Sequence, residues 1–223
     1  MGTRQQKFIR FSVDSGVLRF GEFVTKAGRT SPYFFNAGLF NDGATLGQLA
    51  DFYAQSLIDS GVEFDMLFGP AYKGITLVAA TAIALANKGR NVPFAYNRKE
   101  AKDHGEGGNI VGAKLQGKVV IIDDVISAGT SVNESVEIIR AAGATPCAVL
   151  IAIDRMERSG KDDALSDRSA VEEVEINYQI PVISIGNLDD LLCYLSYANA
   201  DPDLVKHKDA VAVYRDKYGI RLG

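Results

Sequence analysis

The chain has 223 residues, 47% hydrophobic and 23% charged, enough to bury a sizeable core in one domain and too few for two large independent ones. Its 24 Lys and Arg face 28 Asp and Glu for a net charge of −4, so no global basic field exists to hold a nucleic-acid backbone, and any anion site must be local. Cys147 and Cys193 match no metal spacing and cannot build a multi-bridge framework, and MGTRQQKFIRF at the N-terminus carries scattered charges rather than an apolar segment; the expectation is a reduced, cytoplasmic protein with no membrane partner.

In chain order, Thr3 to Ser15 reads as a short helix ended by Gly16. Val17 to Gly38 then alternates aromatic and polar residues, as a hairpin around Ala27 to Ser31 would. Asn41 or Asp42 can cap a helix whose apolar residues Leu46, Leu49, Ala50, Tyr53 and Leu57 follow helical spacing, with Gly61 just beyond. From there the pattern alternates. A strand Asp65 to Phe68, a helix Ile75 to Lys88, a strand Val92 to Asn97 and a strand Lys118 to Asp123 are followed by a helix Thr130 to Ala142 and an apolar strand Cys147 to Ile153. Met156 to Arg168 reads as a polar loop, Ala170 to Tyr178 as a helix, Val182 to Ile185 as a strand, and Leu188 to Ala198 and Asp203 to Tyr218 as helices. Continuous apolar strands alternating with helices imply an α/β fold, a mostly parallel central sheet covered on both faces, with ligands bound at the carboxyl ends of its strands.

One segment carries specific chemistry. In VVIIDDVISAGTS, Val119 to Ser131, four apolar residues deliver Asp123 and Asp124 to a strand end, and Ser127, Gly129, Thr130 and Ser131 open the next helix. Gly129 permits a tight backbone, and amides and hydroxyls at a helix N-terminus suit a doubly charged phosphate. The paired carboxylates can accept hydrogen bonds from two vicinal ribose hydroxyls. An alternative is that Asp124 or Ser127 merely caps the helix. Neither the P-loop lysine nor the dinucleotide Gly-x-Gly-x-x-Gly is present.

The full string resembles the phosphoribosyl-diphosphate (PRPP) signature of type I phosphoribosyltransferases, and further segments resemble the orotate phosphoribosyltransferase family. The resemblance implies that fold in a single domain, with a small hood mainly within residues 1–40, a core sheet over about 60–186 and C-terminal helices over about 188–218. It implies that Val125, Ile126 and Ala128 line the phosphate loop with Asp123, Asp124, Ser127, Gly129, Thr130 and Ser131. In FVTKAGRTSPYFFNAG, Lys26 would contact PRPP, and Phe34 and Phe35 would flank orotate; neighbours on a strand point to opposite faces, so one ring should pack inward. GPAYKG, Gly69 to Gly74, resembles the pyrophosphate loop, with Tyr72 and Lys73 on the leaving group.

NRKEAKDHGEGGNIVG, Asn97 to Gly112, reads from its residues as a solvated surface loop. By resemblance it is a mobile catalytic loop whose Arg98, Lys99, Lys102 and His104 reach the active site of the neighbouring subunit of a homodimer. Arg155, in IAIDRMERSG, would meet the carboxylate of orotate; equally open is a surface arginine paired with Asp154 or Glu157. Ser127 stands where the family pattern leads one to expect threonine, and keeps the hydroxyl.

The implied reaction is Mg2+-dependent displacement of pyrophosphate from PRPP by N1 of orotate, giving orotidine 5′-monophosphate in de novo pyrimidine biosynthesis. Catalysis would fall to Lys102, His104, Asp123 and Asp124, with His104 a general acid or only an electrostatic group. The ion would be held by substrate oxygens, with no protein side chain assigned as metal ligand. A purine or uracil phosphoribosyltransferase would share Val119 to Ser131 without the Lys26, Phe34, Phe35 and Arg155 set. A PRPP-binding regulator of the same fold is the reading from another class.

Overall fold

The structure, a computed structural model, describes residues 2–25, 28–102, 108–161, 164–197 and 202–220. Helix α1 (Arg4–Asp14) starts at a capping box in which Thr3 and Gln6 satisfy each other's backbone amides. Strands β1 (Leu18–Val24) and β2 (Thr30–Phe35) form an antiparallel pair, and a short 3-10 turn (Ala37–Leu39) leads to α2 (Gly43–Asp59), capped by Asp42. There follow β3 (Met66–Gly69), α3 (Lys73–Asn87), β4 (Phe94–Lys102), β5 (Gly108–Gly112), β6 (Lys118–Ile122), α4 (Thr130–Ala141) and β7 (Thr145–Asp154). The chain continues through β8 (Arg158–Lys161), β9 (Ala164–Ser169), α5 (Ala170–Tyr178), β10 (Val182–Asn187), α6 (Leu188–Ser196), α7 (Pro202–Val205) and α8 (Lys208–Tyr218).

Six strands form one sheet in the order β10-β7-β6-β3-β4-β5, parallel except for the β4–β5 edge. The apolar runs are continuous because both faces are covered. Val120, Ile122, Leu150 and Ile185 join a core with α1, α2, α3 and α6, while Val119, Ile121, Val149 and Ile151 join a second core with α4 and α5. Ile121 is fully buried, and its truncation to Ala would cost about 2–5 kcal/mol. After β3 the chain adds β4 on one side, then returns to place β6 on the other. The carboxyl ends of β3 and β6 therefore diverge at a topological switch point, where α/β sheets open a crevice.

Three expectations need correction. The stretch expected as one loop between Asn97 and Gly112 is largely a ribbon: β4 runs on to Lys102 and pairs with β5, with Asn97 opposite Ile110 and Lys102 opposite Gly108. Polar, charged residues suit a solvent-facing edge ribbon as well as a loop, so composition did not separate the two. Met156 to Arg168 likewise contains the antiparallel pair β8–β9, hidden by the same polarity. The helix expected over Asp203 to Tyr218 is broken by a turn at Lys206 and His207 into α7 and α8.

The C-terminal helices serve both layers. α6 packs on α1 and β10, and α8 on β2 and α6, with Tyr214 edge-on to Tyr33 at 6.2 Å and His207 stacked on Phe20 at 5.2 Å.

Candidate active site

The site forms where β3, β6 and β7 end. Asp123 and Asp124 follow β6 directly and are buried. Their backbone is held from three sides: the Asp123 amide donates to the Leu150 carbonyl (3.1 Å), the Ala152 amide donates to the Asp124 carbonyl (2.9 Å), and the Tyr53 hydroxyl donates to the Asp123 carbonyl (2.7 Å). The Ser131 hydroxyl donates to Asp123 Oδ2 (2.9 Å), and Lys73 Nζ lies 2.6 Å from Asp124 Oδ2. Burial first, then the neighbouring charge of Asp124, pushes the Asp123 carboxyl up to about 6. Between Asp124 and α4 the chain curls through Gly129 at φ +70°, and no side chain caps the helix. The amides of the first turn of α4 are thus left for an anion. The resulting cavity, about 350 Å³, is walled by Asp123 to Val132 and by Pro70 to Lys73.

The opposing wall is the β3–α3 turn. Its two glycines answer to close packing: a Cβ on Gly69 would stand 2.1 Å from the Gly74 carbonyl oxygen, and one on Gly74 2.6 Å from Pro70. The Ala71–Tyr72 peptide is cis, and the Ala71 amide donates to Asn97 Oδ1 (2.7 Å). Tyr72 is 73% exposed, and Lys73 opens α3 at the mouth of the cavity.

A second cavity of about 400 Å³ adjoins the first and shares Lys73, Val125, Ile126 and Ser127 with it. Phe34 and Arg155 line it from the other side. Arg155 donates from Nε and Nη2 to Glu157 Oε1 (2.9 and 2.6 Å) and from Nη2 to Ser31 Oγ (3.3 Å), and its guanidinium lies 5.1 Å from the Tyr33 ring centre.

Residues 39–182 match the family described as phosphoribosyl transferase domain. An orotate phosphoribosyltransferase of Herminiimonas arsenicoxydans is 77% identical over 99% of this chain and 100% of that protein. One of Ralstonia pickettii (strain 12J) is 72% identical over 97% and 96%. The chain belongs to the orotate phosphoribosyltransferase family. The crystal structure of the Francisella tularensis orotate phosphoribosyltransferase superimposes with a TM-score of 0.83 at 44% identity, covering 96% of this chain and 99% of that one.

Of the residues singled out by resemblance to orotate phosphoribosyltransferases, the structure gathers Tyr72, Lys73, Phe34, Phe35, Arg155 and all of Asp123 to Ser131 around the two cavities. The two phenylalanines divide as strand alternation requires. Phe34 is 40% exposed and stacks on Phe23 at 5.4 Å, while Phe35 is buried against Phe8 and Phe40. Ile126 also turns into the core, which leaves its backbone for a ligand. Arg155 does pair with Glu157, but as a mostly buried side chain rather than a surface one.

Arg98 and Lys99 are not brought to these cavities; Lys99 instead lies 3.3 Å from Glu134 of α4. Lys26, His104 and the Lys102 side chain lie outside the described residues. Residue-by-residue reading missed Asn97, Tyr53 and Arg29, which build the site from behind, and it offered Glu157 only as an alternative partner for Arg155. Arg29 is 3% exposed, donates to the Gly160 carbonyl (2.7 Å) and lies 3.6 Å from Glu157. A polar residue closing the run Val92 to Tyr96 was the available signal for Asn97; Arg29 carried none.

Proposed function

We propose that the two joined cavities bind PRPP and orotate side by side, so that this chain transfers the 5-phosphoribosyl group to N1 of orotate. The observation that carries the reading is the shared wall. An anion cradle with buried carboxylates opens, across Lys73 and Val125 to Ser127, into a cavity with an aromatic face and a guanidinium. The 5-phosphate would sit on the amides of Val125 to Ser131 at the start of α4, with the ribose hydroxyls donating to Asp123 and Asp124. The pyrimidine would lie along Phe34 with its carboxylate toward Arg155. The anomeric carbon then falls at the junction, beside Lys73.

In the reaction the C1–oxygen bond to pyrophosphate breaks and a C1–N1 bond forms, with the N1 proton lost from the base. No protein nucleophile takes part. The protein's tasks are orientation and neutralisation of the charge that grows on pyrophosphate. Lys73 supplies part of that charge, but its ammonium pairs with Asp124 in this structure. PRPP entering would therefore exchange one ion pair for two contacts, diphosphate on Lys73 and ribose on Asp124.

Mg2+ belongs to the same reading, and the donor set fits an ion carried in on substrate oxygens. Two adjacent carboxylates border the cradle. Asp123 and Asp124 would meet the ion through ribose hydroxyls and water. When bound it would neutralise diphosphate charge.

The homodimer is proposed on the same footing. Arg98 and Lys99 line neither cavity of their own chain, which suits a ribbon that serves a second copy. Lys102 and His104, by the resemblance, would act on the neighbouring site. Two unbridged cysteines agree with a cytoplasmic setting, and no helix among the described residues is long and apolar enough to cross a membrane.

The test is direct: with PRPP and Mg2+, orotate absorbance should fall as nucleotide forms. Activity with adenine, hypoxanthine or uracil in place of orotate would move the base assignment, and no turnover with any base would favour a PRPP-binding regulator.

A further inference from the structure

We propose that Glu157 is the positioning residue for Arg155, setting the plane and direction in which its guanidinium meets the carboxylate of the base. This rests on Arg155 being that contact, as read above.

A carboxylate is an unexpected neighbour in a cavity meant for an anion. Glu157 nonetheless lines it with only 15% of its side chain exposed. Repulsion and desolvation both oppose its presence there, so its contacts have to account for it. Its Oε1 accepts from both Nε and Nη2 of Arg155 (2.9 and 2.6 Å), which occupies one edge of the guanidinium. The Tyr33 hydroxyl donates to the same oxygen (3.4 Å), while Oε2 lies 3.6 Å from Arg29 Nη1. With the Tyr33 ring 5.1 Å from the guanidinium carbon and Ser31 at Nη2, the plane is fixed from three sides.

The backbone brings the two side chains together by an unusual route. Met156, between them, has φ +51°, a conformation an unbranched non-glycine residue adopts at a cost. The turn is held at both ends. The Met156 amide donates to Asp154 Oδ1 (2.8 Å), the Ile220 amide donates to the Met156 carbonyl (2.9 Å), and Glu157 forms a bridge with Gly219. A strained turn clamped by the C-terminal segment makes sense if it delivers Glu157 to the edge of Arg155. A long arginine held this way loses little freedom on binding the base.

Steady-state kinetics on the full-length protein would decide. Glu157→Gln should lower kcat/KM for orotate by about ten-fold or more, the scale of a misaligned charge-assisted contact, while the KM for PRPP stays near that of the parent. In an Arg155→Ala background Glu157→Gln should add nothing, because Glu157 acts through the guanidinium. Glu157→Asp keeps the charge and should recover part of the loss; it also carries the test if Glu157→Gln does not fold. An unchanged orotate kcat/KM in Glu157→Gln, an equal loss in the Arg155→Ala background, or a matching rise in the PRPP KM would overturn the proposal. Failure of the underlying reading looks different: Arg155→Ala alone would then leave orotate kinetics unchanged.

Discussion

Asp123 sits where stability and function pull apart. Its carboxyl is buried beside Asp124, so its native pKa lies near 6 instead of 3.8. An acid shifted upward binds more protons folded than unfolded between those values, so its contribution to stability is fully present below about pH 4 and is lost as pH rises through about 6. Replacing it with Asn, which can still accept from Ser131, should therefore stabilise the protein at pH 8 by on the order of 1–2 kcal/mol and by little at pH 4, while PRPP binding collapses. Urea unfolding at the two pH values checks the first part, and an equal effect at both would rule out the burial argument. The position of the two acids at the cavity was legible in the string Val119 to Ser131, because a strand end and a helix start fix where such residues point. That Lys73 parks on Asp124, and that Tyr53 from α2 braces Asp123, was not, since these partners are brought together only by packing.

The elements read most cleanly were those with a buried stripe. α2 begins at its Asp42 cap, α5 spans Ala170–Tyr178 as its spacing suggests, and β6 and β7 carry the apolar runs that name them. Elements with little buried stripe were misjudged: β5, β8 and β9 are short and paired only in antiparallel ribbons, so hydrophobic periodicity had little to record. The β4–β5 ribbon is also where the catalytic charge is expected. On the reading proposed here, Lys102→Ala lowers kcat by about a hundred-fold or more, the loss typical of one preorganised donor, with the far-ultraviolet circular dichroism unchanged. Near-normal turnover by that variant would remove the ribbon from the mechanism.

At the scale of the whole molecule, the site is assembled from segments far apart in the chain: Phe34 and Arg29 from the N-terminal hairpin, Lys73 from β3–α3, Asp123 and Asp124 from β6–α4, and Arg155 from the end of β7. If the ribbon serves a second copy, mixing two inactive variants should restore function. Lys102→Ala and Asp124→Ala chains, dissociated and reassociated in equal amounts, would place both defects in one site of each mixed dimer and leave the other site intact, giving about a quarter of the parent activity under random pairing. Mixtures no more active than the separate variants would mean that Lys102 acts within its own chain.

The sequence by itself determined the α/β class, the order of the core strands and helices, and the place of the strand-to-helix turn that carries Asp123 and Asp124. Each of these is written locally, in a run of apolar residues, a cap, or a glycine at a strand-to-helix turn. Only the tertiary structure decided which of Phe34 and Phe35 exposes its ring, that the β4–β5 ribbon leaves Arg98 and Lys99 outside the cavities, and which of Asp154 and Glu157 pairs with Arg155, beside a buried Arg29. These depend on side chains that tertiary packing brings together, such as Arg29 and Glu157, or on an edge ribbon with few buried residues, and neither leaves a clear periodic mark in a sequence.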